Sequence, residues 1–184
     1  YISNEVIAPA KLAREAALAQ RLSGDGGRLA IAVDSKQGVA ALAQAMHAAH
    51  GAGIDVFIDV DIGHGRCGVP PGEPALALAR AIAPHRALRL AGLHAYHGAA
   101  QHQREPAERQ ATLARSAQAV RETRDLLIRH GFGPLLVTGA GTGTYALETA
   151  SGLWGELQAG SYLFMDADYA ANRHAADAPP FEHA

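Results

Sequence analysis

The chain has 184 residues, 48% of them hydrophobic and 18% charged, with a formal net charge of −2; such a composition buries a core and argues against disorder. Its arginines are dispersed among acids with no basic stripe, which argues against nucleic acid, and a single cysteine, Cys67, rules out an internal disulfide framework and a CxxC metal knuckle. No apolar run approaches the length of a bilayer span, so the sequence predicts no membrane partner and a reducing, cytoplasmic setting.

Helix-like and strand-like patterns alternate along the chain. Residues 10–22 read as a helix, 29–33 as a buried strand, 37–50 as an alanine-rich helix and 56–61 as the next strand. Residues 73–83 are helical after the Pro70-Pro71-Gly72 start, 88–96 are strand-like, and 104–130 form a long helix ended by Gly131. Residues 135–138 follow as a strand, 145–150 as a short helical piece, and 156–159 as a last strand. Five or six βα units with no second composition regime predict a parallel α/β sheet in one domain, 1–184. A doubly wound sheet and an incomplete (β/α)8 barrel both fit. The barrel is favoured because the unusual residues follow several successive strands, where the loops of a barrel converge on its C-terminal face.

Five segments carry those residues: Asn4-Glu5, Asp59 to Gly68, His94 to His102, Val137 to Thr144 and Gln158 to Tyr162. The last two put glycines and hydroxyls directly after strands, either as turns or as backbone cradles for an anion such as phosphate. Arg66, between Gly65 and Gly68, is read as a permanent planar donor for a ligand oxygen or as an ion pair with Asp59 or Asp61. His94, His97 and His102 suggest a metal set of the kind found in barrel hydrolases, although strand alternation opposes His94 to His97 unless the strand has ended by Tyr96. His102, beyond Gly98, suits an acid/base role. Tyr96 either stacks on a flat ring or packs the barrel.

Asp61 to Val69, Gly92 to Gly98, Val137 to Tyr145 and Glu156 to Tyr169 together resemble the D-threonine aldolase and D-serine dehydratase group of pyridoxal-phosphate enzymes, whose catalytic domain is the alanine-racemase-type barrel. The resemblance spans nearly the whole chain and is closer to the D-threonine aldolase branch than to the racemases. It implies a lyase acting on D-3-hydroxy amino acids, cleaving D-threonine to glycine and an aldehyde, with β-elimination of water by a D-serine dehydratase as the alternative. It also implies that Arg66 bonds the phenolic oxygen of pyridoxal 5′-phosphate, that Tyr96 lies against the ring, and that Gly141, Thr142, Gly160 and Ser161 hold the phosphate, with Thr138 a further cofactor-binding residue. Gln158 stands where alanine racemases place an arginine against the pyridine nitrogen, and His102 falls on the substrate side as base or metal-side partner. His94 takes a position where relatives often carry glutamine. A divalent metal such as Mn²⁺ and a homodimer are implied for the full-length protein.

Pyridoxal chemistry needs an amine, and the chain holds only Lys11 and Lys36, neither within anything like the family's lysine motif. The chain begins at Tyr1 rather than Met and ends in Pro179-Pro180-Phe181-Glu182-His183-Ala184. The expectation is therefore an internal fragment, inactive alone, lacking the first strand or strands of the barrel with the Schiff-base lysine, its last strands and a C-terminal β domain with the metal ligands. Two readings from other classes stand beside the lyase: a metal-dependent barrel hydrolase using His94, His97 and His102, and a noncatalytic pyridoxal-phosphate-binding protein.

Overall fold

The computed structural model describes residues 1–49 and 53–174. Six strands, β1 (Ile2–Glu5), β2 (Ala30–Val33), β3 (Ile54–Asp59), β4 (Leu88–Ala95), β5 (Leu136–Gly139) and β6 (Glu156–Leu157), pair in sequence order, all parallel. Helices α1 (Pro9–Gly24), α2 (Lys36–Ala48), α3 (Glu73–Ile82) and α4 (Pro106–Arg129) make the crossovers between the first five strands, and the short α5 (Tyr145–Ala150) links β5 to β6. Uninterrupted order with no switch point is the topology of a barrel wall, and the six strands form a curled half-barrel.

Strand alternation sorts the side chains. Ile54, Val56 and Ile58 on β3 are at most 1% exposed and pack with Leu42 and Met46 of α2 and Leu76 of α3, which sets the helices on that face. Asp55, Phe57 and Asp59 take the concave face. The β4–β5 contact is too tight for any side chain at Gly92, whose added Cβ would lie 1.9 Å from the Leu136 carbonyl oxygen. The register Asp59↔His94↔Thr138↔Glu156 lays a polar rank across four neighbouring strands at their C-terminal ends. At the opposite end, Asp55 takes ion pairs from both Arg28 and Arg89.

Local chemistry explains the element ends. Proline stands in the first turn of α1, α3 and α4, where a missing N–H costs nothing. Ser35 caps α2 by accepting from the Gly38 N–H at 3.1 Å, and Gly131, at φ 87°, closes α4. The strand expected at 56–61 runs two residues earlier, because the Asp61 carboxylate accepts from the N–H groups of Gly63 and Gly65 and turns the chain there. β1 has no counterpart among the expected strands, and short helices at 167–170 and 3-10 turns at 98–102 and 161–163 lie in segments read as loops. The last expected residue of the second helix, His50, and the Pro179–Ala184 tail lie outside the described residues.

Trp154, the single tryptophan, is 7% exposed and donates its indole N–H to the Ala95 carbonyl at 3.1 Å, pinning the end of β4 to the turn before β6.

Candidate active site

The C-terminal ends of the strands enclose a cavity of about 250 Å³ lined by Ser3 and Asn4 of β1, Arg66, His94, Tyr96, Gly141, Thr142, Gln158, Gly160, Ser161 and Tyr169. The loops after β3, β4, β5 and β6 thus meet, as the barrel reading requires. Seven of the expected site residues line this wall: Arg66, Tyr96, Gly141, Thr142, Gln158, Gly160 and Ser161.

One end is a cradle of small residues. Thr142 is 3% exposed, and its hydroxyl is buried without a hydrogen-bond partner among the described residues. A buried hydroxyl left unpaired costs about 1–3 kcal/mol, so an anionic ligand that supplies the missing acceptor or donor is favoured there. The loop is held from behind by Gln101, 1% exposed: its Oε1 accepts from the Gly143 N–H at 2.8 Å, and its Nε2 donates to Thr144 Oγ1 at 2.8 Å. Thr144 in turn donates to Glu148 Oε2 at 2.7 Å, and burial pushes the Glu148 carboxyl up to about 7. An added Cβ at Gly141 would sit 2.4 Å from Gln101 Oε1, so this loop and its support leave no spare room. The orphaned hydroxyl and the two glycine loops fit the phosphate end of a cofactor such as pyridoxal phosphate.

The opposite wall carries charge. Asp59 is 7% exposed, and burial followed by the adjacent Glu5 carboxyl pushes it up to about 8. The Arg66 side chain bonds Cys67 and lies near both acids, but it forms no ion pair with Asp59 or Asp61 among the described residues. Asp61 is instead spent on backbone N–H groups, which hold its pKa down. Arg66 is therefore left to face the cavity.

Tyr96 is half-buried, edge-on to His64 at 6.2 Å between ring centroids. His94 is 4% exposed, and burial pushes it down to about 4. Its Nδ1 meets the Tyr1 hydroxyl at 2.9 Å and Gln158 Nε2 at 3.2 Å. Thr138, fully buried, lies behind the wall, between Gln158 and Glu156, to which it donates at 2.6 Å. His102 stands at the rim, with its ring 5.9 Å from that of Tyr169. Asp168 binds His102 Nδ1 and is itself held by Arg104, whose Nη1 also reaches Asn172 Oδ1 at 2.8 Å. Those bonds, Arg104 first and His102 second, hold the Asp168 carboxyl below the usual range.

The three histidines do not assemble. β4 ends at Ala95, yet His97 turns inward to accept from the Ala100 N–H, while His94 and His102 have the separate partners just given. Among the described residues, the group with metal-ligand spacing is Glu5, Asp59 and Cys67, with atoms within 4.8 Å of one another. Lys11 lies with Ile2, Arg14, Glu15 and Leu18 at a separate cavity, and Lys36 opens α2; neither lines the site. Sequence reasoning missed Tyr1, Ser3, Glu156 and Asp168 as parts of this site.

The alanine racemase N-terminal domain model matches residues 10–168. The chain is 42% identical over 172 residues to D-threonine aldolase of Arthrobacter sp, covering 94% of this chain and 44% of that protein. It is 41% identical over 168 residues to 3-hydroxy-D-aspartate aldolase of Paracoccus denitrificans (strain Pd 1222), covering 91% and 42%. The crystal structure of D-threonine aldolase from Filomicrobium marinum superimposes with a TM-score of 0.90 at 45% identity, over 99% of this chain and 49% of that one. The chain therefore spans about half the length of the relatives it matches.

Proposed function

The chain belongs to the alanine racemase N-terminal domain family, and on that premise we propose that it forms a single incomplete barrel domain, 1–184, carrying most of the cofactor site of a pyridoxal-phosphate-dependent aldolase for D-3-hydroxy amino acids. The observation that carries the reading is the cavity itself, where the unpaired Thr142 hydroxyl and two glycine loops face Arg66 and Tyr96 across about 250 Å³. Cleavage to glycine and an aldehyde is favoured over loss of water because the relatives at 42% and 41% identity are aldolases, one for D-threonine and one for 3-hydroxy-D-aspartate, whereas a D-threo-3-hydroxyaspartate dehydratase is 26% identical.

Bound pyridoxal phosphate supplies an electron-withdrawing ring that stabilises the carbanion left when Cα–Cβ breaks. The remaining work falls to side chains. Thr142 and Ser161, with Gly141 and Gly160, would hold the phosphate; Arg66 would donate to the phenolic oxygen, Tyr96 would cover the ring and Gln158 would meet its nitrogen. His102 takes the proton of the substrate β-hydroxyl at Nε2, because Asp168 occupies Nδ1 and fixes which nitrogen is free. The divalent metal implied by the resemblance finds no ligand set around His102 among the described residues. The Glu5, Asp59 and Cys67 group lies under Arg66 and holds Asp59 near neutrality, which disfavours a cation, so no step is routed through a metal.

No helix among the described residues is long and apolar enough to cross a membrane. A cytoplasmic homodimer with a small-molecule substrate completes the proposal, with light scattering as its check. The test of the reaction is product analysis of the full-length protein with pyridoxal phosphate, a divalent metal and D-threonine. Glycine with acetaldehyde supports the aldolase; ammonia with 2-oxobutanoate moves the assignment to a dehydratase; no turnover and no cofactor colour overturn it.

A further inference from the structure

Gln158 is the one wall residue whose orientation is dictated from both ends. At one end, the Thr138 hydroxyl has a single proton, and it is spent on Glu156 Oε1 at 2.6 Å. Thr138 Oγ1 therefore accepts from its next neighbour, Gln158 Nε2 at 2.8 Å. With the amide turned over, two oxygens would face each other with no proton between them. At the other end, burial keeps His94 neutral, and its Nδ1 faces Gln158 Nε2 at 3.2 Å and the Tyr1 hydroxyl at 2.9 Å. Burial, reinforced by the charge of Asp59, pushes the Tyr1 hydroxyl far up. Tyr1 thus keeps its proton and donates it to the one lone pair of Nδ1, which fixes His94 as the Nε2–H tautomer, and the second Gln158 N–H is directed at the same Tyr1–His94 pair.

One hydrogen of Gln158 Nε2 is spent on Thr138 and the other points at the Tyr1–His94 pair, and no hydrogen bond is found at Oε1 from the described residues. We infer that Thr138, His94 and Tyr1 act as positioning residues that hold Gln158 with its carbonyl oxygen toward the ligand, so that the site selects a heteroaromatic ring bearing an N–H donor, a pyridinium rather than a pyridine. The inference rests on the cofactor reading above and deepens it. An acceptor at that point favours the protonated ring, the stronger electron sink, whereas a guanidinium there would oppose a ring proton. His94 and Tyr1 belong to the device because a residue offering Nε2 no acceptor would leave half of the amide unanchored.

The test compares the full-length apoprotein's affinity for pyridoxal phosphate and for its carbocyclic analogue, in which the ring nitrogen is replaced by C–H, by fluorescence titration. The analogue is expected to bind about tenfold more weakly, the scale of one charge-assisted hydrogen bond. The ¹⁵N resonance of ring-labelled cofactor in the holoprotein is expected at the protonated position. Thr138→Val, which frees the amide to turn over, should narrow the difference between the two ligands. Tight pyridoxal phosphate binding with equal affinity for the analogue, or an unprotonated ¹⁵N shift, overturns this inference and leaves the cofactor reading intact. An undiminished difference in Thr138→Val overturns the role given to the Thr138 chain. Failure to bind pyridoxal phosphate at all overturns both readings.

Discussion

The two walls of the cavity solve the same problem with different chemistry. On the β5–β6 side, hydroxyls and amides are bonded in two separate sets, Gln101 with Thr144 and Thr138 with Gln158, each anchored on a glutamate, and most of the order comes from fixed dipoles. On the β1–β3 side, Glu5 and Asp59 crowd together under Arg66, Glu5 Oε1 is buried without a partner, and order depends on where protons reside. A wall of dipoles responds to shape, and a wall of carboxyl groups responds to pH.

Gly141→Ala should break the dipole side most severely. Its Cβ collides with the Gln101 amide, and cofactor affinity is expected to fall about 100-fold, or about 3 kcal/mol, by spectrophotometric titration. The same substitution should leave the Asp59 contribution to the pH dependence of stability in place, which separates the two walls. A smaller effect is expected at the rim between them. Asp168→Asn keeps an acceptor for Arg104 but frees the His102 ring to change tautomer, so kcat should drop about tenfold at nearly constant KM and cofactor affinity. A matching rise in KM would assign Asp168 to substrate binding instead.

A pH test addresses the carboxyl side. Asp59 is held at about 8 in the folded protein against about 3.9 in an unfolded chain. Between those values the folded state binds the extra proton, so stability is full at low pH and falls as pH rises through that window. Asp59→Asn removes this contribution. Thermal melts from pH 5 to pH 9 should show the parent losing several kcal/mol more than the variant, at about 1.4 kcal/mol per pH unit between the two pKa values; parallel curves would show that Asp59 is ionised throughout.

The central βα units were legible because Leu29 to Val33 and Val56 to Ile58 are apolar runs bounded by polar residues, and the helices after them start at proline or serine. β1 was not, since Ile2-Ser3-Asn4-Glu5 offers one apolar residue and gains strand character only from pairing with β2. The glycine loops and Arg66 announced themselves by composition. The partnerships did not: Tyr1 and His94 are 93 residues apart, His102 and Asp168 are 66 apart, and Gln158 and His94 are 64 apart. Register across four strands brings Thr138, His94 and Glu156 together, and no local pattern encodes register between distant strands. The three-histidine metal set does not form because β4 directs His94 toward Tyr1 and Gln158, while loop geometry after Ala95 sends His97 and His102 to other neighbours.

Trp154 turns this architecture into an instrument. Its indole is bonded to the carbonyl just before Tyr96, so the protein's sole tryptophan fluorophore sits directly behind the wall that would meet a coloured ring. Loading of the cavity should dim that emission by resonance energy transfer, giving a label-free optical gauge of occupancy without any engineered probe.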